Sequence, residues 1–97
     1  MSRYLLSPAA QTDLGKIWDY THESWGEAQA TAYLRELQWA IERVAANPLI
    51  GRSCDEIRPG YRKFAAGSHT FFYRVDADGV IDVVRVLHNR MDVDRHL

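Results

Sequence analysis

The 97-residue chain holds one cysteine, three prolines and six glycines, and none of its apolar runs approaches the roughly 20 residues that a membrane-spanning helix needs. A lone Cys54 excludes an intrachain disulfide, so an inert thiol in a reducing compartment is the expectation. No basic stretch leads into an apolar one at the start, as a secretion signal would, and the expected location is cytoplasmic. Charge of one sign is also lacking. Twelve Lys and Arg stand against thirteen Asp and Glu, a formal net charge of -1, so bulk charge does not select a nucleic acid partner. His22, His69, His88 and His96 are scattered without metal-ligand spacing, and no glycine-rich phosphate loop occurs, so neither a metal nor a cofactor is expected.

What is present is the composition of an ordinary globular domain, 46% hydrophobic and 26% charged. A chain this long folds as one domain and buries roughly two thirds of its unfolded surface. Ten of the twelve cations are arginine. Arginine suits planar, bidentate recognition of carboxylate or phosphate, although a GC-rich genome would produce the same bias.

Arg3-Tyr4-Leu5-Leu6 reads as a short strand, stopped by Ser7-Pro8, an N-cap followed by a proline at the first helical position. Ala10, Leu14, Ile17, Trp18, Thr21 and Trp25 then recur with helical spacing up to Gly26, which predicts a helix over about 8–24. Ala30, Tyr33, Leu34, Leu37, Ile41, Val44 and Ala45 predict a second, over about 27–46, ended by Asn47-Pro48. With only Gly26 between them, the two form an antiparallel hairpin that shares one apolar surface. Trp39 falls off that stripe and is expected at its edge. Residues 48–60 read as a loop from their proline and glycine content. The period then changes, giving strands at 61–66, 69–75 and 80–88, with turns at Gly67-Ser68 and Asp76-Ala77-Asp78-Gly79. The tail after Met91 predicts one short helical turn.

The order β-α-α-β-β-β is an α+β arrangement: one small, mainly antiparallel sheet with a helical hairpin on one face. Strands lie ~4.8 Å apart, so four span about 15–20 Å, and two helices packed ~10 Å apart cover one such face with nothing to spare. The other face is therefore expected to be open. Yet odd positions (Phe71, Tyr73, Val75, Ile81, Val83, Leu87) and even positions (Phe72, Val80, Val84, Val86) are both apolar, which predicts a partner that supplies the missing layer. Arg85, in mid-strand between apolar neighbours, needs an acidic partner in the chain or on a visitor. Arg74 and Arg90 can equally sit in solvent at strand ends. As a set, these cations with His88 suit either RNA binding and cleavage or docking of a partner's carboxylates, and residue types favour docking.

The run Ser7-Pro8-Ala9-Ala10 ahead of Leu14-x-x-Ile17-Trp18-x-Tyr20, the Pro48-x-x-Gly51-Arg52 loop, Arg62-x-Phe64, Phe72-Tyr73-Arg74-Val75 and Val84-Arg85-Val86-Leu87-His88-x-Arg90-Met91-Asp92 resemble the ParE branch of the RelE/ParE toxin superfamily. The resemblance covers nearly the whole chain. It implies the β-α-α-β-β-β fold, a type II toxin–antitoxin system, neutralisation by a ParD-like antitoxin that alone contacts operator DNA, and DNA gyrase as the target. RelE relatives instead cut mRNA on the ribosome. They rely on lysines in the first meander strand, arginines in the next two and often a tyrosine near the C-terminus. Arg62 and Lys63 match the first group, Thr70 stands where the second-strand arginine belongs, and no tyrosine follows Tyr73. A non-hydrolytic toxin without catalytic residues is therefore expected, with a RelE-type endoribonuclease as the alternative. The antitoxin is expected on the open sheet face, at Arg62, Lys63, Phe72, Arg74, Val84, Arg85, Val86, His88 and Arg90.

Overall fold

The computed structural model describes residues 3–97. Strand β1 (Tyr4–Leu6) leads into helices α1 (Pro8–Trp25) and α2 (Glu27–Ala46); a 3-10 turn (Pro48–Ile50) and strands β2 (Arg52–Ser53), β3 (Tyr61–Ala66), β4 (His69–Val75) and β5 (Ile81–His88) follow, and a one-turn helix α3 (Val93–His96) ends the chain. Ser7 caps α1 as its sequence predicts, its Oγ accepting from the Ala10 amide at 3.0 Å, and Pro8 fills the first turn. Gly26, at φ +91°, ends one helix and starts the next. A side chain at that φ would crowd its own backbone, which is why the tight hairpin corner carries glycine. No helix among the described residues is long and apolar enough to cross a membrane.

The α+β architecture is as expected, with a correction to the strand count. Arg52-Ser53, read as loop, pairs antiparallel with β3 (Arg52↔Lys63, Ser53↔Arg62), so the sheet has five strands in the order β1-β5-β4-β3-β2. Two residues carry no periodicity; the free edge of β3 makes them a strand. β1 pairs parallel to β5, Leu6 opposite Val83, and the remaining pairs are antiparallel.

The main core lies between the hairpin and one sheet face, where Ile17, Leu37, Ile41 and Val44 meet Phe71, Tyr73, Ile81, Val83 and Val86. That β5 list switches from odd to even numbers because Phe72 pairs with Arg85 and Tyr73 with Val83, leaving Val84 as an extra, bulged residue. A β-bulge moves every later side chain to the opposite face. Part of the two-sided apolar pattern in β5 is thus one face read through a shift of register.

The rest of that pattern has a second cause, and it corrects the expected open face. On the far side of the sheet Phe72 and Leu87 are buried with Cys54, beneath Ile57, Tyr61, Val93 and Leu97. Residues 54–60 and α3 form this cover, tied together by Arg58, whose Nε and Nη2 donate to the Leu97 carbonyl at 3.0 and 2.7 Å. Counting two helices as the whole cover left out a loop and a tail, which have no period and yet fold over the sheet. Only the part of the far face beside this lid remains open.

Candidate functional site

The partner of Arg85 is in the chain. β1 ends opposite Val83, so the edge of β5 beyond that point has no strand beside it. The N-terminal turns of α1 take the strand's place. Ser7 Oγ donates to the Val84 carbonyl at 2.6 Å, and Asp13 Oδ2 accepts from the Val86 amide at 2.9 Å. The same carboxylate receives Arg85 side-on, Nε to Oδ2 and Nη2 to Oδ1, both at 2.8 Å, while Nη1 donates to the His96 carbonyl. Hydrogen bonding to Asp13 raises the Arg85 pKa further above its already high ordinary value. Bidentate, charge-assisted pairs of this kind are strong and directional. Asp13, only 9% exposed, lies in the α1 stripe between Ala10 and Ile17, and that position was the available sequence signal for it.

The other expected antitoxin contacts separate into groups. Phe72 and Val86 are 2% and 3% exposed, the first packed under the far-face lid and the second in the main core, so each offers only a sliver of surface, Phe72 to a hollow on the far face and Val86 to a wedge on the helix side. Val84 is the bulge. Arg62 points to the helix side and donates to the Gly51 carbonyl at 2.7 Å. Arg74 pairs with Asp82 at 3.3 Å with more than half its side chain exposed, a contact of little energetic weight. Lys63, His88 and Arg90 make no side-chain ion pair among the described residues.

Lys63 forms part of an open hollow of about 430 Å³ on the far face, with Arg52, Thr70, Asn89 and Val93. Arg52 and Lys63 are direct cross-strand neighbours, and neither meets a carboxylate among the described residues. Like charges placed so repel, so this doublet favours an anion. Arg52 escaped notice in the sequence because a residue in a loop has no register. Thr70 donates to Asn89 Oδ1 at 2.8 Å. Cys54 lies beneath the lid with its thiol pushed up by burial, and the neighbouring Glu56 pushes the same way, so little reactive thiolate forms.

Around the end of β5, on the helix side, the hairpin tip and the strand ends leave a wedge of about 600 Å³ between them. His88 and Met91 line both it and the hollow. Inside it, the Tyr33 hydroxyl lies 2.6 Å from His69 Nδ1 and accepts from the Ser68 amide at 2.9 Å. The His69 and His88 rings meet edge to face with centroids 5.2 Å apart. Burial first, and the His88 ring second, hold His69 below its ordinary pKa of 6.5, with Asp13 pulling the other way. As pH falls, the unfolded chain therefore takes up the proton first. Stability that is complete above 6.5 should decline until the pH reaches the lower folded-state value. Urea titrations at stepped pH check this; a His69→Gln variant that keeps the same acid-side slope would remove His69 as its source. Among the described residues no group of three or more His, Cys, Asp or Glu is placed to hold a metal ion.

A family model described as the ParE toxin of the type II toxin–antitoxin system, parDE, matches residues 4–93. The chain belongs to the ParE toxin family. A ParE1 toxin of Mycobacterium tuberculosis is 73% identical over 96 residues, covering 99% of this chain and 98% of that one. A ParE1 toxin of Caulobacter vibrioides is 44% identical over 97 residues, with 100% and 99% covered. Among solved structures, a chain of the chromosomal ParDE toxin–antitoxin system of P. aeruginosa superposes with a TM-score of 0.77 at 21% identity, over 91% of this chain and 96% of that one. A chain of the RelBE2 toxin–antitoxin complex of M. tuberculosis does so at 0.64 and 18%, over 92% and 100%. These last two likenesses concern the fold, which is RelE/ParE-like. The protein is a toxin of a type II toxin–antitoxin system, and an antitoxin is its partner.

Proposed function

We propose that this toxin inhibits DNA gyrase by binding, without hydrolysing a substrate, and that a ParD-like antitoxin neutralises it by covering the far-face hollow. One observation carries the reading: the hollow offers charge and almost no proton chemistry. Arg52 and Lys63 attract anions, Thr70 does not titrate, and Arg85 is held by Asp13. His88 is the sole imidazole in its lining, and its Nδ1 already accepts from the Arg90 amide at 3.1 Å. Cleaving RNA through its 2′-hydroxyl calls for a base and an acid on opposite sides of the phosphate. One imidazole at the rim supplies neither arrangement. An antitoxin segment rich in Asp and Glu meets the Arg52–Lys63 doublet, with Arg90 next in the chain to the lining residues Asn89 and Met91.

Two assays test the target. Purified toxin should inhibit gyrase supercoiling and accumulate cleaved DNA complexes, while primer extension on mRNA from a translating extract stays unchanged. Cuts within codons together with untouched gyrase would establish the endoribonuclease reading instead. For the antitoxin, the Arg52→Glu/Lys63→Glu double variant should bind about a hundredfold more weakly at unchanged melting temperature. Undiminished affinity by calorimetry removes the hollow from the interface.

A further inference from the structure

Both imidazoles in the wedge have their protons positioned by the fold. The His88 Nδ1 accepts from a backbone amide, so its neutral ring carries hydrogen on Nε2. The Tyr33 hydroxyl already accepts from Ser68, and its own proton finds an acceptor only in His69 Nδ1, so His69 also carries hydrogen on Nε2. Neither Nε2–H has a hydrogen-bond partner among the described residues. The two rings that carry these donors meet edge to face with centroids 5.2 Å apart, and Lys16 lines the same wedge. No free carboxylate opposes them, since Asp13, the acid among the lining residues, is bound by Arg85 and by the Val86 amide. At the mouth, Tyr20 and Trp25 are 70% and 71% exposed, and Met91 is 46% exposed. Large side chains clustered so at the rim of a cavity mark an interaction site rather than scattered surface apolarity.

We propose that the antitoxin chain continues from the hollow round the end of β5 into this wedge, where it seats an acidic side chain flanked by an apolar one. The carboxylate accepts from the Nε2–H groups of His69 and His88 beside Lys16, and the apolar neighbour packs on Tyr20 and Trp25. This rests on the antitoxin reading given above. Two features select this occupant. The lining is donor-rich, with Lys16 as its cation and its own acid neutralised, and His88 and Met91 join the wedge to the hollow as one surface. The titratable and charged groups facing the two imidazoles are Asp13, Lys16 and Tyr20 from α1, Tyr33 from α2, and each other.

The test uses whole toxin with histidine ring nitrogens labelled, free and bound to its ParD-like antitoxin. Long-range proton–nitrogen spectra of the free toxin should show both rings in the Nε2–H form. In the complex, at least one imidazole pKa should rise by about one unit or more, as a neighbouring carboxylate demands. Affinity should then tighten by about fivefold between pH ~8 and pH ~6. Lys16→Glu, an exposed change that leaves the melting temperature alone, should weaken the complex at least about tenfold. A complex that forms with both imidazole pKa values unmoved or lowered, or that ignores Lys16→Glu, overturns the wedge assignment while leaving the antitoxin reading in place. If no complex forms at all, both are overturned.

Discussion

Replacing Asp13 with alanine is expected to remove about 3–5 kcal/mol of folding stability, the range for breaking a buried ion pair from one side. Its carboxylate serves three donors, the Arg85 Nε and Nη2 and the Val86 amide, and all three lose their acceptor together. The amide is buried, and an unmet buried donor alone costs about 1–3 kcal/mol. Arg85→Ala strands the carboxylate instead, and should fall at the lower end of that range because about a quarter of the Arg85 side chain reaches solvent. Asp13→Asn can keep one oxygen for Val86 but loses the charge and turns the other oxygen, an acceptor for Arg85, into an NH2 donor, so it belongs between wild type and Asp13→Ala. Domains of this kind have stabilities of roughly 5–15 kcal/mol, so the alanine variant should melt at least about 15 °C lower. Denaturant titration of the two single variants and the double variant gives the coupling directly; a value under about 0.5 kcal/mol would mean that the two residues act independently. The same variants test the expected antitoxin contact of Arg85. Asp13 and the His96 carbonyl engage three of the five Arg85 N–H groups, which fixes the guanidinium and neutralises its charge within the chain, so Arg85→Ala, measured well below its melting temperature, should change antitoxin affinity by less than about threefold.

Gly51→Ala should cost about 2–3 kcal/mol for a different reason, overpacking. Gly51 has an ordinary extended backbone, φ -73° and ψ 154°, so conformational freedom does not explain the glycine. Space does. A methyl group there would run into the Tyr73 hydroxyl and lie 2.9 Å from the Lys63 carbonyl, a backbone atom that cannot swing aside. Tyr73 is fully buried, and its hydroxyl donates to the Pro48 carbonyl at 2.6 Å and accepts from the Gly51 amide at 3.0 Å. These two bonds pin the turn after α2 to the centre of the sheet and thereby place β2 on the edge of β3. Tyr73→Phe should cost about 1–2 kcal/mol by leaving that carbonyl and amide unmet. Combined with Gly51→Ala it should cost less than the sum, because removing the hydroxyl vacates part of the space the methyl needs. Strict additivity in urea titrations would show that the clash with Lys63 dominates. The Arg52–Lys63 doublet hangs on this pin, so Gly51→Ala should also weaken antitoxin binding where Tyr73→Phe does so less.

The helices and the three long strands were legible because each rests on a local period: Ala30, Leu37, Ile41 and Val44 recur on one helix face, and Ser7-Pro8 and Gly26 mark boundaries through their own backbone preferences. Family membership was legible for a related reason, since the Phe-Tyr-Arg and Arg-Val-Leu-His runs lie in strands whose side-chain order the sheet preserves. Less could be read of the site. Nothing in one dimension says that Asp13 lies across from Arg85, 72 positions later, instead of a partner's acid.

The opening expectation for the far face failed for the same physical reason. Val84 looks like any strand residue until the pairing with β4 makes it a bulge, and Cys54, Ile57, Val93 and Leu97 lack a period because a lid is shaped by the surface it covers. Hydrophobic periodicity, a property of neighbours a few residues apart, determined the fold class, the hairpin and the strands on its own. The closed arginine, the half-covered face and the paired imidazoles depend on contacts between positions far apart in the chain, and these exist only once the strands have registered and α1 has closed against the edge of β5.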